Sequence, residues 1–320
     1  MNTDAKVALI IPCYKVKRHI VEVLQAIGSE VSQIYVIDDC CPEESGKYVK
    51  SQVKDQRITV LTHQKNTGVG GALLTGYRQA IKDKMTIAIK VDGDGQMDTN
   101  LIPRFIAPIL AGKADYTKGN RFYELESLST MPKLRLFGNA LLSFINKLAS
   151  GYWSVMDPTN GFTAIHIKVL QLLPLDKIEK RYFFESDMLF RLNIVRALVL
   201  DIPMVARYGN EASNLKISSV VISFPAKFLV RFFKRIFYNY FLRDFTAGSV
   251  EILSGLFFLT GGAIYGISQW YTSFINHIVT PSGSVMLAAL PVLIGFQFLI
   301  AALNYDVYNS PKLCLHELLE

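Results

Sequence analysis

The feature that most constrains this chain is a long stretch without charged side chains near its C-terminal end. Residues 252–305 contain no Asp, Glu, Lys or Arg, whereas charges punctuate everything before them. As an α-helix, residues 252–271 would rise about 30 Å, the thickness of the hydrocarbon core of a bilayer. Residues 285–305 form a second segment of this kind. The sequence therefore predicts a soluble part followed by a hairpin of two transmembrane helices.

The flanks of the two spans indicate how they are oriented. Residues 224–245 form an amphipathic segment with one acidic side chain, Asp244. Its basic residues are Lys227, Arg231, Lys234, Arg235 and Arg243. Because part of the net charge of +7 lies beside an apolar span, the expected partner is a lipid bilayer and not nucleic acid. Positive flanks favour the cytoplasm, so we expect a multi-pass protein of the cell (inner or plasma) membrane with its soluble domain in the cytoplasm.

Glycines within the spans predict close helix packing. Gly261, Gly262, Gly266 and Gly295 are small enough to let two helices approach each other. Pro291 is expected to kink the second span. Association of two copies of the chain through the glycines of the first span, giving a homo-oligomer, is a hypothesis.

The soluble part alternates between strand and helix patterns. Apolar runs at residues 7–14, 33–38 and 58–62 predict strands, and residues 17–27 carry apolar side chains at helical spacing. Further strands are predicted at 115–118, 163–167 and 199–203, with helices at 131–150 and 188–197. Strands that alternate with helices are typical of an α/β fold with a parallel sheet. The four cysteines show no metal-binding spacing, which predicts reduced thiols.

Two carboxylates follow the predicted strand at residues 85–91. Asp92 and Asp94 are each followed by glycine, which permits a tight turn. A hard cation such as Mg²⁺ or Mn²⁺ takes oxygen ligands of this kind. An EF-hand is excluded because Met97 and Pro103 occupy the positions that need glycine and glutamate. From spacing alone, a metal site and a solvated acidic turn both stay open.

A glycine cluster opens the helix that is predicted to run to about Lys82. Asn66 and Gly68 begin this cluster, which continues to Gly71. Glycines at the start of a helix can leave backbone amides available for a phosphate, or they can allow close packing against the sheet. Both interpretations stay open at this point.

Taken together, seven short motifs carry a resemblance to a known family. They are Ile10-Ile-Pro-Cys-Tyr14, Ile37-Asp-Asp39, Asn66-Thr-Gly-Val-Gly-Gly71, Val91-Asp-Gly-Asp-Gly-Gln96, Gly119-Asn-Arg121, Asp157-Pro-Thr-Asn-Gly-Phe162 and Phe183-Phe-Glu185. In this order and spacing they resemble the family-two glycosyltransferases. The membrane hairpin narrows the resemblance to the polyprenyl-phosphate glycosyltransferases, the relatives of dolichol-phosphate mannose synthase.

The resemblance implies a fold, a domain plan and a reaction. The fold is GT-A, a doubly wound α/β domain with a mostly parallel sheet. The predicted regions are a cytoplasmic catalytic domain (1–222), an amphipathic interfacial helix region (223–247), a transmembrane hairpin (248–310) and a cytoplasmic tail (311–320). The reaction moves a sugar from a UDP- or GDP-linked donor to an undecaprenyl or dolichyl monophosphate, with Mg²⁺ or Mn²⁺ as cofactor and with inversion at the anomeric carbon.

The resemblance also implies roles for individual residues. A metal is assigned to Asp92, Asp94 and Gln96. Nucleotide and substrate binding is assigned to Pro12, Tyr14, Asp39, Asn66, Gly68, Asp92, Arg121, Arg135 and Lys216. Catalysis is assigned to Asp94, Asp157, Glu185 and Arg207. Asp157 and Glu185, with Asp187 ranked below them, are expected either to hold sugar hydroxyls or to assist as weak bases. A strong base is not required, because the acceptor phosphate has a second pKa of about 6.

The chain departs from the family pattern at several positions. Lys15 and Val16 replace a usual Asn-Glu pair, and Cys40 and Cys41 follow the paired aspartates where serine and aspartate are usual. The basic loop between Arg207 and Lys216 is longer than is usual in the family. Arg207 still fits a contact to the diphosphate, whereas the position of Lys216 departs from the family pattern. These departures affect the expected contacts to the base and the ribose.

Two other functions stay open from the sequence. A processive polysaccharide synthase would carry a Gln-x-x-Arg-Trp motif, but neither Trp153 nor Trp270 follows an arginine. A non-catalytic, membrane-anchored nucleotide-binding scaffold would not need Asp92, Asp94 and Gln96. The sequence selects neither the sugar, nor UDP over GDP, nor the length of the polyprenol.

Overall fold

Seven strands form one mixed sheet in the computed structural model of the chain, which describes residues 5–123, 133–205 and 217–319. The strands are β1 Val7–Cys13, β2 Gln33–Asp38, β3 Ile58–Thr62, β4 Ile87–Lys90, β5 Tyr116–Asn120, β6 Thr163–His166 and β7 Val199–Pro203. Their order in the sheet is β3-β2-β1-β4-β6-β5-β7. Only β6 runs antiparallel to its neighbours in this sheet, β4 and β5. This is the mostly parallel sheet that the sequence predicts.

The strand order reverses between β1 and β4. After β1 the chain adds β2 and β3 on one side, and it then returns to add β4 on the other side of β1. In open α/β sheets such a reversal leaves a crevice outside the carboxyl ends of the two central strands. The fold therefore places a ligand crevice beside the ends of β1 and β4.

Helices cover both faces of the sheet. In the first part of the chain they are α1 Ile20–Gln25, α2 Ser45–Gln52, α3 Val69–Lys82, α4 Ile102–Leu110, α5 Lys133–Ser150, α6 Ile167–Leu172 and α7 Phe184–Ile194. One buried cluster packs α3, α6 and α7 on one face, with Tyr77 and Leu189 among its members. The other cluster packs α1 and α4 on the opposite face, with Leu24 and Phe105 among its members. The domain is therefore doubly wound, as predicted.

Helices α2 and α7 are examples of elements that differ from the prediction. Helix α2 lies in a polar segment without helical periodicity, and its start is fixed by the Gly46 N–H, which donates to Asp38 Oδ2 at 2.7 Å. Helix α7 begins at Phe184, four residues before the predicted start. Its first turn therefore contains Glu185 and Asp187. The start of α2 depends on Asp38 at the end of β2, and the acidic first turn of α7 contacts Lys90 and Arg231; the local pattern contains neither contact.

The chain divides into two compact units. The first comprises Met1–Phe232 and Pro311–Glu320, and the second comprises Phe233–Ser310. Helix α8 spans Ile217–Phe237 and is followed by a π-helical turn, Tyr238–Leu242. The second unit then contains α9 Ala247–Ile275 and α10 Ser282–Tyr308. Both of these helices are long and apolar enough to cross a membrane.

Glycines let α9 and α10 pack closely against each other. A Cβ atom at Gly262 would lie 2.9 Å from the carbonyl oxygen of Ala288, and one at Gly295 would lie 2.5 Å from the backbone nitrogen of Leu259. At Gly261 a Cβ atom would meet nothing within 4 Å. The close approach that the sequence predicts is therefore present at Gly262 and Gly295 but not at Gly261.

Three basic side chains of the amphipathic segment are paired within their own unit. In the first unit Lys227 Nζ lies 2.9 Å from Glu179, and Arg231 Nε lies 2.5 Å from Asp187. In the second unit Arg235 is fully buried, and its Nη1 lies 2.5 Å from Asp306. Much of the positive charge expected at the membrane surface is therefore neutralised by the protein itself.

Candidate functional site

A cavity of about 450 Å³ lies at the carboxyl ends of the central strands. The predicted site residues in its wall are Pro12, Tyr14, Asp39, Asn66, Gly68, Asp92 and Asp94. They come from the end of β1 and from the segments that follow β1, β2, β3 and β4, and the parallel strands bring them to one edge of the sheet. The crevice that the strand order creates therefore coincides with seven of the residues that the sequence selects, whereas Arg121, Asp157 and Glu185 are not among the residues that line it.

Asp39 fixes the loop that forms one wall of this cavity. Its Oδ1 accepts hydrogen bonds from the backbone N–H and the hydroxyl of Thr67, both at 2.8 Å. Its Oδ2 accepts the N–H of Gly68 at 2.8 Å. His63 Nδ1 lies 2.8 Å from Oδ1 as well. The carboxylate thus holds the glycine loop in place while the residue lines the cavity.

The glycine loop packs closely against a neighbouring segment. The N–H of Gly71 donates to the carbonyl of Lys180 at 3.0 Å, and a Cβ atom at Gly68 would lie 2.7 Å from that same carbonyl oxygen. Gly68 also has a φ of +87°, which favours glycine. Of the two interpretations of the glycines, close packing is the one found at Gly68 and Gly71, whose amides are taken.

This packing brings two further residues into the cavity wall. Arg181 and Tyr182 line the cavity because the segment that carries them lies against the glycine loop. In this stretch the sequence motif includes only Phe183, Phe184 and Glu185. A signal was present, because only Phe183 and Phe184 separate this arginine and tyrosine from Glu185, a predicted site residue.

The acidic turn after β4 points two carboxylates toward the cavity. Asp92 and Asp94 both line it, and Asp94 Oδ1 accepts the backbone N–H of Gln96 at 3.0 Å. Gly95 completes the turn with a φ of +76°. Gln96 is not part of the cavity wall, and the contact described for it is made by its backbone. Two carboxylates beside an open cavity fit a hard divalent cation that also takes phosphate oxygens as ligands.

A buried lysine links this turn to helix α7. Lys90 is the last residue of β4, and its Nζ lies 2.9 Å from Glu185 Oε1 and 3.3 Å from Asp92 Oδ1. Burial alone would lower the pKa of Lys90, but the two carboxylates raise it above its ordinary value. A Cβ atom at Gly161 would lie 2.5 Å from Nζ, so this close approach requires glycine. Lys90 was not among the site residues predicted from the sequence, although it is a charge at the end of an apolar strand.

A second buried lysine lies on the other side of β6. Lys90 and Lys118 both pair in register with Thr163, so they share one face of the sheet. Lys118 Nζ donates to the carbonyl of Asn160 at 2.5 Å. Burial lowers the pKa of Lys118 to about 8, and the carboxylates of Asp157 and Glu185 oppose this shift. The sheet thus carries two buried lysine side chains near the predicted catalytic carboxylates of Asp157 and Glu185.

Arg121 and Asp157 form a bidentate pair at the end of β5. Arg121 Nε donates to Asp157 Oδ2 at 2.7 Å, and Nη2 donates to Oδ1 at 3.0 Å. Burial would raise the pKa of Asp157, but the hydrogen bonds from Arg121 hold it below its ordinary value. Both carboxylate oxygens are therefore engaged by one guanidinium, which suits a positioning role.

Asp187 is the remaining predicted residue whose side chain the structure describes. Asp187 accepts from Arg231 Nε at 2.5 Å and from Arg191 Nε at 2.9 Å, so its carboxylate is engaged in ion pairs. Arg135 belongs to α5, but its side chain lies outside the described part of the structure. Arg207 and Lys216 also lie outside the described residues.

Curated relatives resemble this chain over most of their own length. The UDP-N-acetylglucosamine–dolichyl-phosphate N-acetylglucosaminyltransferase of Methanococcus voltae is 28% identical over 235 residues, which cover 69% of this chain and 93% of the relative. The undecaprenyl-phosphate mannosyltransferase of Micrococcus luteus is 26% identical over 203 residues, which cover 62% of this chain and 82% of the relative.

Solved structures share the fold. Glucosyl-3-phosphoglycerate synthase from Mycobacterium tuberculosis, solved in complex with Mn²⁺, UDP and glucosyl-3-phosphoglycerate, superposes with a TM-score of 0.54 at 14% identity. The match covers 72% of this chain and 80% of that chain. This likeness identifies the sheet and its helices as a GT-A fold, as predicted.

The family model described as glycosyl transferase family 2 matches residues 8–173, which contain β2 to β6, all but the first residue of β1 and most of the cavity wall. The match spans more than half of the sequence. The chain therefore belongs to glycosyl transferase family 2, and it is a glycosyltransferase.

Proposed function

We propose that this enzyme transfers a sugar from a UDP- or GDP-linked donor to a polyprenyl monophosphate, of the undecaprenyl or dolichyl type, with inversion at the anomeric carbon. The observation that carries the proposal is the pair Asp92 and Asp94 on the wall of one cavity, in a chain that also has two helices of membrane-spanning length. The printed names of the relatives from Methanococcus voltae and Micrococcus luteus support the lipid-phosphate acceptor.

The donor occupies the cavity at the ends of β1 and β4. Tyr14 and the loop held by Asp39 surround the nucleoside, while Asp92 and Asp94 face the diphosphate. Bound Mg²⁺ or Mn²⁺, held by Asp94 and Asp92, would neutralise charge on the departing nucleoside diphosphate. The Mn²⁺ and UDP in the complex of the Mycobacterium tuberculosis synthase support a divalent metal here. Arg135, Arg207 and Lys216 are proposed to contact phosphate groups, and a metal contact by Gln96 stays a prediction.

The acceptor phosphate attacks without a strong protein base. Its second pKa of about 6 leaves an oxygen deprotonated at neutral pH. Asp157 is held by Arg121 and Glu185 by Lys90, so both carboxylates are engaged in ion pairs within the protein. In this mechanism Asp157 orients Arg121 toward the acceptor side, and Glu185 holds Lys90 beside Asp92. The new bond joins the lipid phosphate oxygen to the anomeric carbon, and the nucleoside diphosphate leaves.

The acceptor determines the location of the enzyme. A polyprenyl chain leaves the bilayer only at a cost of about 0.8 kcal/mol for each exposed CH₂ group, so the enzyme must work at the membrane. We propose a multi-pass protein of the cell membrane, with α9 and α10 as its two spans and the catalytic domain in the cytoplasm. Residues 311–319 belong to the same unit as the catalytic domain, which supports a hairpin whose two ends lie on one side.

Donor binding can be tested by thermal unfolding with a panel of nucleotide-sugars in the presence of Mn²⁺. A true donor stabilises the folded chain by mass action, by about 2.7 kcal/mol at a hundred times its dissociation constant. We expect one nucleotide class to raise the unfolding temperature, and to lose this effect in Asp94→Ala. A panel without any stabilising nucleotide-sugar would argue against the proposal.

Transfer can be tested with a radiolabelled donor and extracted lipid phosphate. We expect label in the lipid fraction for the wild type and for Asp98→Ala, and a loss of at least a hundredfold for Asp94→Ala. Asp98 is the matched control because it belongs to the same acidic segment but caps the following turn, where its Oδ1 accepts the N–H of Asn100 at 3.1 Å. Nucleotide binding without transfer to any lipid would instead identify a scaffold.

A further inference from the structure

A second cluster of metal-binding side chains lies at the opposite edge of the sheet from the cavity. Asp115 directly precedes β5 and is fully buried. Because β5 runs parallel to β4 through the antiparallel β6, Asp115 lies at the amino end of the strands, whereas the acidic turn lies at the carboxyl end. Cys314 and His316 reach Asp115 from the C-terminal segment and are also buried.

The three ligand atoms are arranged like one face of a tetrahedral site. His316 Nδ1 lies 2.7 Å from Asp115 Oδ1, Cys314 Sγ lies 3.5 Å from the same oxygen, and Sγ lies 3.3 Å from Nδ1. Around tetrahedral zinc, with bonds of about 2.0–2.3 Å, neighbouring ligand atoms lie about 3.3–3.6 Å apart. Both contacts of the sulfur already fit this spacing, and the contact between Asp115 and His316 would have to open by about 0.6 Å.

The orientation of His316 is the one that a metal ligand needs. Its other ring nitrogen, Nε2, lies 3.3 Å from Glu317 Oε1. Histidines that bind metals commonly donate this second N–H to a carboxylate, which fixes the tautomer and the ring. With a proton on Nδ1, His316 can donate a hydrogen bond to Asp115 Oδ1 at 2.7 Å; with the proton on Nε2, Nδ1 is instead a lone-pair donor that a cation could share with that oxygen.

The other contacts of the cluster hold it together and do not occupy the place that a cation would take between Asp115 Oδ1 and His316 Nδ1. Asp115 Oδ2 accepts the backbone N–H groups of Leu198 and Leu315, both at 2.7 Å, while Oδ1 accepts the N–H of His316 at 2.8 Å. The ring of His166 stacks on that of His316 with centroids 4.1 Å apart and covers it. The cluster is therefore preformed and shielded, with its sulfur and its imidazole nitrogen turned toward the same carboxylate oxygen.

We propose that Asp115, Cys314 and His316 bind one Zn²⁺ ion, which ties the C-terminal segment to the start of β5. A thiolate, an imidazole and a carboxylate together favour zinc over Mg²⁺ or Ca²⁺. On binding, the metal replaces the thiol proton of Cys314 and any proton on His316 Nδ1, and these protons go to solvent. Two of the ligands are in the last residues of the chain and the third is 199 residues earlier, so the ion closes a long loop.

The test uses the full chain in detergent, reduced and treated with a chelator, in the Asp94→Ala background so that the acidic turn does not contribute. Co²⁺ is the spectroscopic probe, because a cobalt–thiolate bond gives a charge-transfer band and tetrahedral cobalt absorbs strongly in the visible. We expect one equivalent of Co²⁺ to produce both features and one equivalent of Zn²⁺ to abolish them. Zn²⁺ should also raise the unfolding temperature and slow proteolytic removal of the last ten residues.

Matched variants separate the proposed site from other thiols. Cys314→Ser should lose the charge-transfer band and the effect of Zn²⁺ on stability, and His316→Ala should bind Co²⁺ at least tenfold more weakly. Cys40→Ser, which removes the exposed cysteine, should behave as the parent does. The proposal is overturned if the parent shows no thiolate band, if the band survives in Cys314→Ser, or if the chelated chain protects its C-terminal segment as well as the zinc-loaded chain does. In the last case hydrogen bonds alone hold the cluster.

Discussion

At the scale of single residues, Lys90 is the side chain on which the geometry of the acidic turn depends. Its ammonium is buried between Glu185 and Asp92. Removing one partner from a buried ion pair leaves uncompensated charge and typically costs about 3–5 kcal/mol. We expect Lys90→Met to lower the free energy of unfolding by about 3 kcal/mol and to reduce the transfer rate, as measured by denaturant unfolding and by the lipid-transfer assay.

A second substitution shows whether the loss of stability comes from the carboxylate of Glu185, which Lys90→Met leaves without its ion-pair partner. In the double variant Lys90→Met with Glu185→Gln, we expect at least a third of the lost stability to return, because the amide carries no charge. Activity should stay low, since Asp92 still lacks its partner. A double variant no more stable than Lys90→Met alone would contradict this explanation.

The other buried lysine gives a prediction about pH. Burial lowers the pKa of Lys118 to about 8 in the folded chain, whereas its ordinary value is 10.5. Between these two pH values the unfolded chain binds more protons than the folded chain does, so the contribution of Lys118 to stability rises with pH. Below pH 8 both states are protonated, and the burial penalty is fully present.

We therefore expect the wild type to gain stability relative to Lys118→Met between pH 8 and pH 10. Unfolding temperatures of the two proteins, measured in parallel across this range, give the difference directly. Other groups that titrate in the range are common to both proteins and cancel. A difference that stays constant, or that shrinks as the pH rises, would show that the pKa of Lys118 is not lowered.

What the sequence predicts at this scale depends on where a residue lies relative to a strand end. Asp92 and Asp94 could be placed beside the cavity, because parallel strands bring their carboxyl ends to one edge. The positions of Lys90 and Arg181 could not be predicted in this way. Lys90 is positioned by Glu185 from a distant helix, and Arg181 is positioned by the packing of its segment against the glycine loop. Arg121 was found, but its pairing with Asp157 is visible only in three dimensions.

At the scale of elements, the packing of α9 on α10 gives a matched pair of substitutions. A Cβ atom at Gly262 would lie 2.9 Å from the Ala288 carbonyl oxygen, whereas Gly261 is open. Overpacking a close contact typically costs about 1–3 kcal/mol. We expect Gly262→Leu to lower the unfolding temperature in detergent by several degrees and Gly261→Leu to leave it nearly unchanged.

If the substitution at Gly261 were the more harmful of the two, α9 would make its close contact through Gly261 and not through Gly262. The first span would then use Gly261 to contact another molecule, as the homo-oligomer hypothesis suggests. Crosslinking of both variants in native membranes distinguishes this case, because loss of a dimer would accompany the loss of stability.

Elements with a strong local pattern were predicted closely, and those without one were not. The bounds of β2, β3 and β7 agree with the apolar runs that predicted them, because each is a short buried strand between polar turns. Helix α2 was missed because its sequence is polar and its start depends on a hydrogen bond to Asp38. The strand β6 was predicted, but not its antiparallel pairing, since pairing direction is a property of two strands and not of one.

At the scale of the whole molecule, the chain leaves its first unit before the apolar hairpin and returns to it at the end. The sequence predicted both the α/β domain and the hairpin, because each has its own composition. It did not predict that the C-terminal residues pack on the first unit, where Asp115 accepts three backbone N–H groups from Leu198, Leu315 and His316. Cysteine spacing also missed the cluster around Cys314, since its other ligands are brought together only by the fold.

The central claim is that one sugar moves from a nucleotide to a lipid monophosphate, and the mass of the product tests it most directly. Membranes containing the enzyme are incubated with the stabilising nucleotide-sugar, and the extracted lipid is analysed by mass spectrometry with Asp94→Ala as the control. We predict a polyprenol that carries one sugar and one phosphate, and its absence from the variant. A lipid with two phosphates, or a polymer of sugars, would contradict the claim.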